Sequence, residues 1–238
     1  MKVLGIETSA HHSSLALLID GRLERESFFP SRMSLGQTLA SHIQEVLGCR
    51  VAADAGLTAI GVSLGPGSFT GLRVGIAAAK ALAHALGVPL LGIPTHEAIA
   101  WPIAHLSDRG ICVLQHARTD QVYCTLFAPG HPDGHLQPIF DACVLPVADL
   151  TARLASHATP LIALGDGVER HEATLRDTMG DRLHVPPSLF HLPRAAVVAK
   201  LASKRAAEAD PDAAMNLRPA YLLVSQAEMS HNIDLGQK

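Results

Sequence analysis

Seven consecutive residues, Gly65-Pro66-Gly67-Ser68-Phe69-Thr70-Gly71, hold the strongest chemical possibility in this chain. Three glycines among the seven permit positive φ and close approach of the backbone to a neighbour. Ser68 and Thr70 place hydroxyls just before an apolar, alanine-rich stretch, and Arg73 adds a cation beside them. A helix N-terminus is a natural seat for an anion. The segment reads either as a loop that cradles phosphate or docks a protein, or as a tight strand-to-helix turn with capping hydroxyls. A glycine-rich loop alone does not separate the two. It is not a P-loop, because Gly71 is followed by Leu72 and Arg73 where Lys and Ser or Thr are required. It is not G-x-G-x-x-G either, because Thr70 stands where the third glycine belongs.

Other constellations are incomplete. Two histidines at i and i+4 share a helix face, as a zinc site needs. His96-Glu97 is followed by Ala100 and His171-Glu172 by Leu175, so no H-E-x-x-H exists and a metallopeptidase has no footing. No metal ligand set is assigned. The remaining histidines read as surface or hydrogen-bonded structural residues. No G-x-S-x-G supplies a serine nucleophile, and no catalytic residue is assigned. Asp166, between Gly165 and Gly167, could touch a nucleotide or simply turn the chain after a strand. Cys49, Cys112, Cys124 and Cys143 form no C-x-x-C pair and read as buried thiols of a reducing compartment.

The elements that must position these residues follow from periodicity. Strands are expected at Val3–Ile6, Ser14–Ile19 and Leu23–Phe29, with Asp20-Gly21 as a two-residue hairpin turn. Leu35, Leu39, Ile43 and Val46-Leu47 recur at helical spacing, so Ser34 to Leu47 is read as a helix capped by Ser34 and stopped by Gly48. A strand Ala59–Leu64 feeds the glycine loop. A helix Leu72–Leu86 follows, stopped by Gly87, and then a strand Leu90–Ile93. The second half is expected to hold strands Ile111–Gln115 and Val122–Phe127 and a loop Pro129–Gly134. A helix Val147–Ser156, a strand Leu161–Leu164 and helices Val168–Met179 and Pro193–Ala209 follow, the last ended by Asp210-Pro211. A boundary near Ala100–Gly110 divides 1–104 from 105–238, and the halves could be distant duplicates. The tail from Ser230 reads as frayed.

The totals exclude several classes. The chain has 238 residues, 48% hydrophobic and 17% charged, with a formal net charge of −3, so it offers no basic footprint for gripping RNA alone. Its apolar runs are interrupted well short of the ~20 residues that span a bilayer. No apolar signal core follows Met1, so a soluble cytoplasmic protein is expected, without membrane contact.

Leu64-Gly65-Pro66-Gly67-Ser68-Phe69-Thr70-Gly71-Leu72-Arg73-Val74-Gly75 resembles the signature of the TsaB (YeaZ) family. Lys2-Val3-Leu4-Gly5-Ile6-Glu7-Thr8-Ser9 resembles that family's opening strand, and Pro89 to Thr95 its next one. Ala117-Arg118 with Val122-Tyr123 resembles its second hairpin, and Pro219-Ala220-Tyr221-Leu222 its closing motif. The resemblance implies an α/β, two-lobed actin-like ATPase (ASKHA, ribonuclease H-like) fold, the last helix packing back on the first lobe. It implies a non-catalytic scaffold subunit in threonylcarbamoyl transfer to tRNA adenosine 37. The partners would be a catalytic paralogue, TsaD, and a small ATPase, TsaE, with tRNA met only through the complex and a homodimer formed in isolation. No cofactor would be held tightly, leaving ATP or ADP for the partner interface. The alternative is an independent actin-like ATPase or small-molecule kinase.

Glu7-Thr8-Ser9 is then the relic of a phosphate site. The family's usual Asp is replaced by Glu7, the Asp of its second hairpin by His116, and Arg32-Met33-Ser34 stands where a histidine often precedes the first helix. The two docking helices are expected to present Leu35, Leu39, His42, Ile43, Gly75, Ala78, Ala79 and Leu82 to partners.

Overall fold

The structure, a computed structural model, describes residues 1–31, 34–130, 135–208 and 216–222. Arg32 and Met33, most of the loop ending at Gly134, the stop at Asp210-Pro211 and the tail from Ser230 lie outside the described residues.

The first lobe opens with β1 (Lys2–Glu7), β2 (His12–Ile19) and β3 (Arg22–Pro30), an antiparallel set. Asp20 and Gly21 both have positive φ, the geometry a two-residue hairpin requires. After α1 (Leu35–Leu47), β4 (Ala59–Gly65) pairs parallel to β1. Then come α2 (Phe69–Leu86), β5 (Leu90–Pro94) and α3 (Thr95–Ala104). The sheet order is β3-β2-β1-β4-β5.

The second lobe repeats this plan. It runs through β6 (Gly110–Arg118), β7 (Gln121–Phe127), β8 (Pro138–Pro146), α4 (Val147–Ala155), β9 (Leu161–Leu164), α5 (Asp166–Met179), β10 (Leu183–His184) and α6 (Ala195–Arg205). Its sheet order, β8-β7-β6-β9-β10, places each strand where the first lobe has its counterpart.

Both faces of β1 and β4 are covered, so these strands are almost uniformly apolar. Leu4, Ile6, Ile60 and Val62 pack under α1 and α2, while Val3 and Ala59 pack against α6. Gly5 sits where a Cβ would lie 2.1 Å from the Ala195 carbonyl oxygen, so α6 touches bare backbone. The two terminal helices exchange lobes. Residues Ile99, Ala100 and Ile103 of α3 pack against Ile111, Val113 and Leu164 of the second sheet. Helix α6 lies on the first sheet, with Ser14 Oγ accepting from Ala195 N at 2.9 Å and Glu26 accepting from Ala196 N and Arg194.

Several elements differ from the sequence reading. Helix α2 starts at Phe69, not Leu72, because Ser68 caps it three residues earlier. Ser34 makes no side-chain cap; its carbonyl accepts from Gln37 and Thr38 instead. Strand β8 and helix α3 carried no expectation: β8 is a half-exposed edge without clean alternation, and α3 is apolar nearly all round. Among the described residues, no helix is long and apolar enough to cross a membrane.

Candidate functional site

The glycine loop and the turn after β1 meet at the carboxyl end of the first sheet. By strand alternation Glu7 shares the face of Val3 and Gly5, toward α6. It is fully buried. Its Oε1 accepts from Ser9 N and Ser9 Oγ, both at 2.5 Å, while no group among the described residues pairs with Oε2. Burial raises the Glu7 pKa above its usual value, opposed by the bonds from Ser9 and by Ser63.

The glycine loop is laid directly on this turn. Ser68 N donates to the Ser9 carbonyl at 2.7 Å. A Cβ on Gly67 would lie 2.3 Å from that same oxygen, and one on Gly71 would lie 2.0 Å from the Thr8 carbonyl oxygen. A Cβ on Gly75 would lie 2.1 Å from the Thr8 hydroxyl oxygen. Ser68 Oγ accepts from Gly71 N at 3.2 Å, the cap of α2. The glycines thus serve close packing of the chain on itself.

Arg73 is committed beside them. Its guanidinium carbon lies 3.9 Å from the centre of the Phe69 ring, and its Nε donates to the Tyr221 hydroxyl at 2.8 Å. The strap carrying Tyr221 is held by Ala220 N donating to the Leu64 carbonyl at 2.8 Å. Sequence reasoning marked Pro219 to Leu222 without seeing that it buttresses the glycine loop, a contact across 148 positions.

The second lobe mirrors this junction. Asp166 Oδ1 accepts from His116 N at 2.9 Å and ties the β9–α5 turn to β6. The His116 ring lies 3.3 Å from an Arg170 amino nitrogen. Burial, then Arg170 and His116, lower the His171 pKa. Between the lobes, buried His96 of α3 brings Nδ1 within 2.7 Å of Thr125 Oγ1 on β7. Burial drives its pKa down to about 3, against a hydrogen bond to Gln115, so the ring is neutral. Among the described residues, no group of three or more His, Cys, Asp or Glu is placed to hold a metal ion.

The docking residues are only partly where the sequence put them. Leu35, Leu39, Ile43, Gly75 and Ala79 are buried, not presented to partners. The physical reason is the helical stripe itself: these positions are the ones that face the protein's own sheet. His42, Ala78 and Leu82 remain partly open. The solvent face of α2 is instead Thr70, Arg73, Ala77, Ala81, His84 and Ala85.

Two lobes of one topology, with crossed terminal helices and a turn-and-glycine-loop junction at the strand ends, define an actin-like ATPase (ASKHA) fold. An archaeal actin homologue, Ta0583, superposes with a TM-score of 0.50 over 86% of this chain and all of that one, at 10% identity. The family profile described as TsaD, tRNA N6-adenosine threonylcarbamoyltransferase, matches residues 36–227; the chain belongs to that family, within its TsaB (YeaZ) branch. It is 28% identical over 228 residues to the tRNA threonylcarbamoyladenosine biosynthesis protein TsaB of Bacillus subtilis, covering 96% of each chain. YeaZ from Pseudomonas aeruginosa superposes with a TM-score of 0.72 at 25% identity, over 93% of this chain and 99% of that one.

An actin-like fold implies a nucleotide, whose phosphates need free donors where the strands end. Here Ser9 N and Oγ serve Glu7, Ser68 N serves the Ser9 carbonyl, and Gly71 N serves Ser68 Oγ. These residues of the first lobe do not fit a phosphate group.

Glu7→Gln checks the state of this carboxyl. A raised folded pKa means the native state holds its proton more tightly than the unfolded chain does. Its contribution is therefore complete below the unfolded value, 4.5, and declines as pH rises from there through the folded pKa. The amide that replaces the carboxyl cannot ionise, so denaturant unfolding at several pH values will show the stability of the wild type falling relative to the variant as pH rises from 4.5. An equal slope in both would refute the assignment.

Proposed function

We propose that this chain is a non-catalytic scaffold subunit that orders a TsaD-like catalytic paralogue for threonylcarbamoyl transfer to adenosine 37 of tRNA. The observation that carries this reading is the junction at Glu7–Ser9, where Ser9 N, Ser9 Oγ and Ser68 N, donors an actin-like site would turn to phosphate, are used within the chain. Similarity along nearly the whole length of a TsaB supports it. The chain works in the cytoplasm and pairs with itself when its partner is absent. A TsaE-like ATPase joins the complex, and any ATP or ADP lies at the interface rather than in this subunit alone. With a net charge of −3, the chain meets tRNA only through the complex.

The docking surface is the open side of α2, where Ala77 and Ala81 end at Cβ and let a partner helix approach closely. One surface serves both assemblies, so homodimer and heterodimer exclude each other. Ala77→Arg will leave folding unchanged, because Ala77 is exposed, and weaken the heterodimer at least tenfold in a titration. Unchanged affinity would move the interface elsewhere.

The deciding experiment is purification of the tagged protein from its native host at low salt, with co-purifying chains identified by mass spectrometry. An actin-like paralogue carrying H-x-x-x-H in near-equal amount is expected. Emergence alone as a monomer or homodimer, with ATP hydrolysis lost in Glu7→Ala, would overturn the reading in favour of an independent actin-like ATPase.

A further inference from the structure

Sheet two holds a feature that the scaffold role does not use. Cys124 on β7 and Cys143 on β8 are directly opposed in the antiparallel ladder. Their sulfurs stand 3.7 Å apart, with neither in a disulfide. Directly opposed antiparallel residues have Cα atoms about 4.5–5.5 Å apart, inside the roughly 4.4–6.8 Å that disulfides bridge. The backbone is therefore already at bonding separation, and rotation about the Cα–Cβ bonds suffices to close the sulfurs.

We propose that Cys124 and Cys143 are a site of reversible oxidation, forming a disulfide that rivets the edge strand β8 to β7. Position separates the roles of the two thiols. Cys143 is only partly buried, whereas Cys124 is buried under α4 and α5 together with Cys112. Burial pushes the Cys112 thiol up to about 12 and raises Cys124 further, so neither offers a thiolate to solvent. Arg153 of α4, packed over the Phe140 ring at 5.8 Å, acts in the opposite sense on Cys124.

The oxidant is a hydroperoxide. The Cys143 thiolate attacks the terminal peroxide oxygen, the O–O bond breaks, and a sulfenic acid and hydroxide, or alkoxide from an alkyl hydroperoxide, result. Cys124 Sγ then attacks Cys143 Sγ, forming the S–S bond and expelling the sulfenic oxygen as hydroxide, which takes the Cys124 proton to become water. The two thiols lose two electrons, and the hydroperoxide is reduced to water and, for an alkyl hydroperoxide, an alcohol. An external dithiol reverses the bond by exchange.

The bond would matter most at this position. Among the described residues β8 is paired on one side only, and its ladder with β7 is irregular on both sides of Leu126. It leads directly into α4, whose first residue, Val147, donates to the Asp120 carbonyl in the β6–β7 turn at 2.8 Å.

The test uses the full chain exposed to one equivalent of hydrogen peroxide, then unfolded, alkylated and mapped by mass spectrometry. The expected result is a Cys124–Cys143 linked peptide that disappears with dithiothreitol, while Cys49 and Cys112 remain alkylatable. Cys124→Ser should instead accumulate a sulfenic acid at Cys143 that dimedone traps, and Cys143→Ser should form no linked peptide. Full alkylation of both thiols in the wild type, over-oxidation of Cys143 without a link, or a link to Cys49 or Cys112 would each overturn the proposal.

Discussion

Gly71→Ala will destabilise the chain by about 3 kcal/mol, the upper end of the cost of forcing extra carbon into a packed site. The added carbon would lie 2.0 Å from the Thr8 carbonyl oxygen, a backbone atom that cannot rotate away. To admit it, α2 must lift from the β1–β2 turn, which breaks the Ser68 N bond to the Ser9 carbonyl and opens the Gly65–Gly71 loop. Gly36→Ala is the matched control. That glycine lies in α1, and among the described residues a Cβ there meets nothing nearer than 4.0 Å. Replacing an unstrained helical glycine should stabilise by up to about 1 kcal/mol. Urea unfolding of the pair reads both effects. Comparable midpoints for the two variants would show that the loop does not pack as described.

Acid will unlock the lobes through His96. This ring is neutral in the folded chain because burial holds its pKa at about 3, against 6.5 for the free side chain. Below 6.5 the unfolded state binds a proton that the native state refuses, so stability falls as pH drops from 6.5 toward 3. Between pH 7 and pH 5 the loss from this group alone is about 2 kcal/mol, at 1.36 kcal/mol per pH unit. Because Nδ1 bonds Thr125 on the opposite lobe, the first loss should be contact between lobes rather than either sheet. His96→Asn will be less stable at neutral pH but will lose the slope between pH 7 and 5. Hydrogen exchange across that range should show β7 and α3 opening together. A wild-type slope retained in His96→Asn would assign the acid lability to another group.

Some of this was legible in the residues. The apolar run Val3–Ile6 and the Asp20-Gly21 turn specify a hairpin-led sheet through local sterics, and Gly48 and Gly87 stop their helices with the positive φ that glycine permits. The motif around Gly65 pointed to family and fold because its spacing is unusual. Strand β8 was not legible, because an edge strand half-covered on each face shows no clean period. The docking face was misjudged for a related reason. A helix rich in glycine and alanine has little amphipathic contrast, so Gly75 and Ala79 look the same as Ala77 and Ala81 until the sheet is in place.

Local sequence therefore determined most of the elements, their order and the family, since each depends on neighbours within a few residues. Only the tertiary structure decided what those elements do to one another. It turned Glu7 back onto Ser9, seated Gly67 and Gly71 against the β1–β2 turn, joined Arg73 to Tyr221, and crossed α3 and α6 between the lobes. Most of those contacts join residues far apart in the chain, and they depend on the packing of two sheets that no local period records.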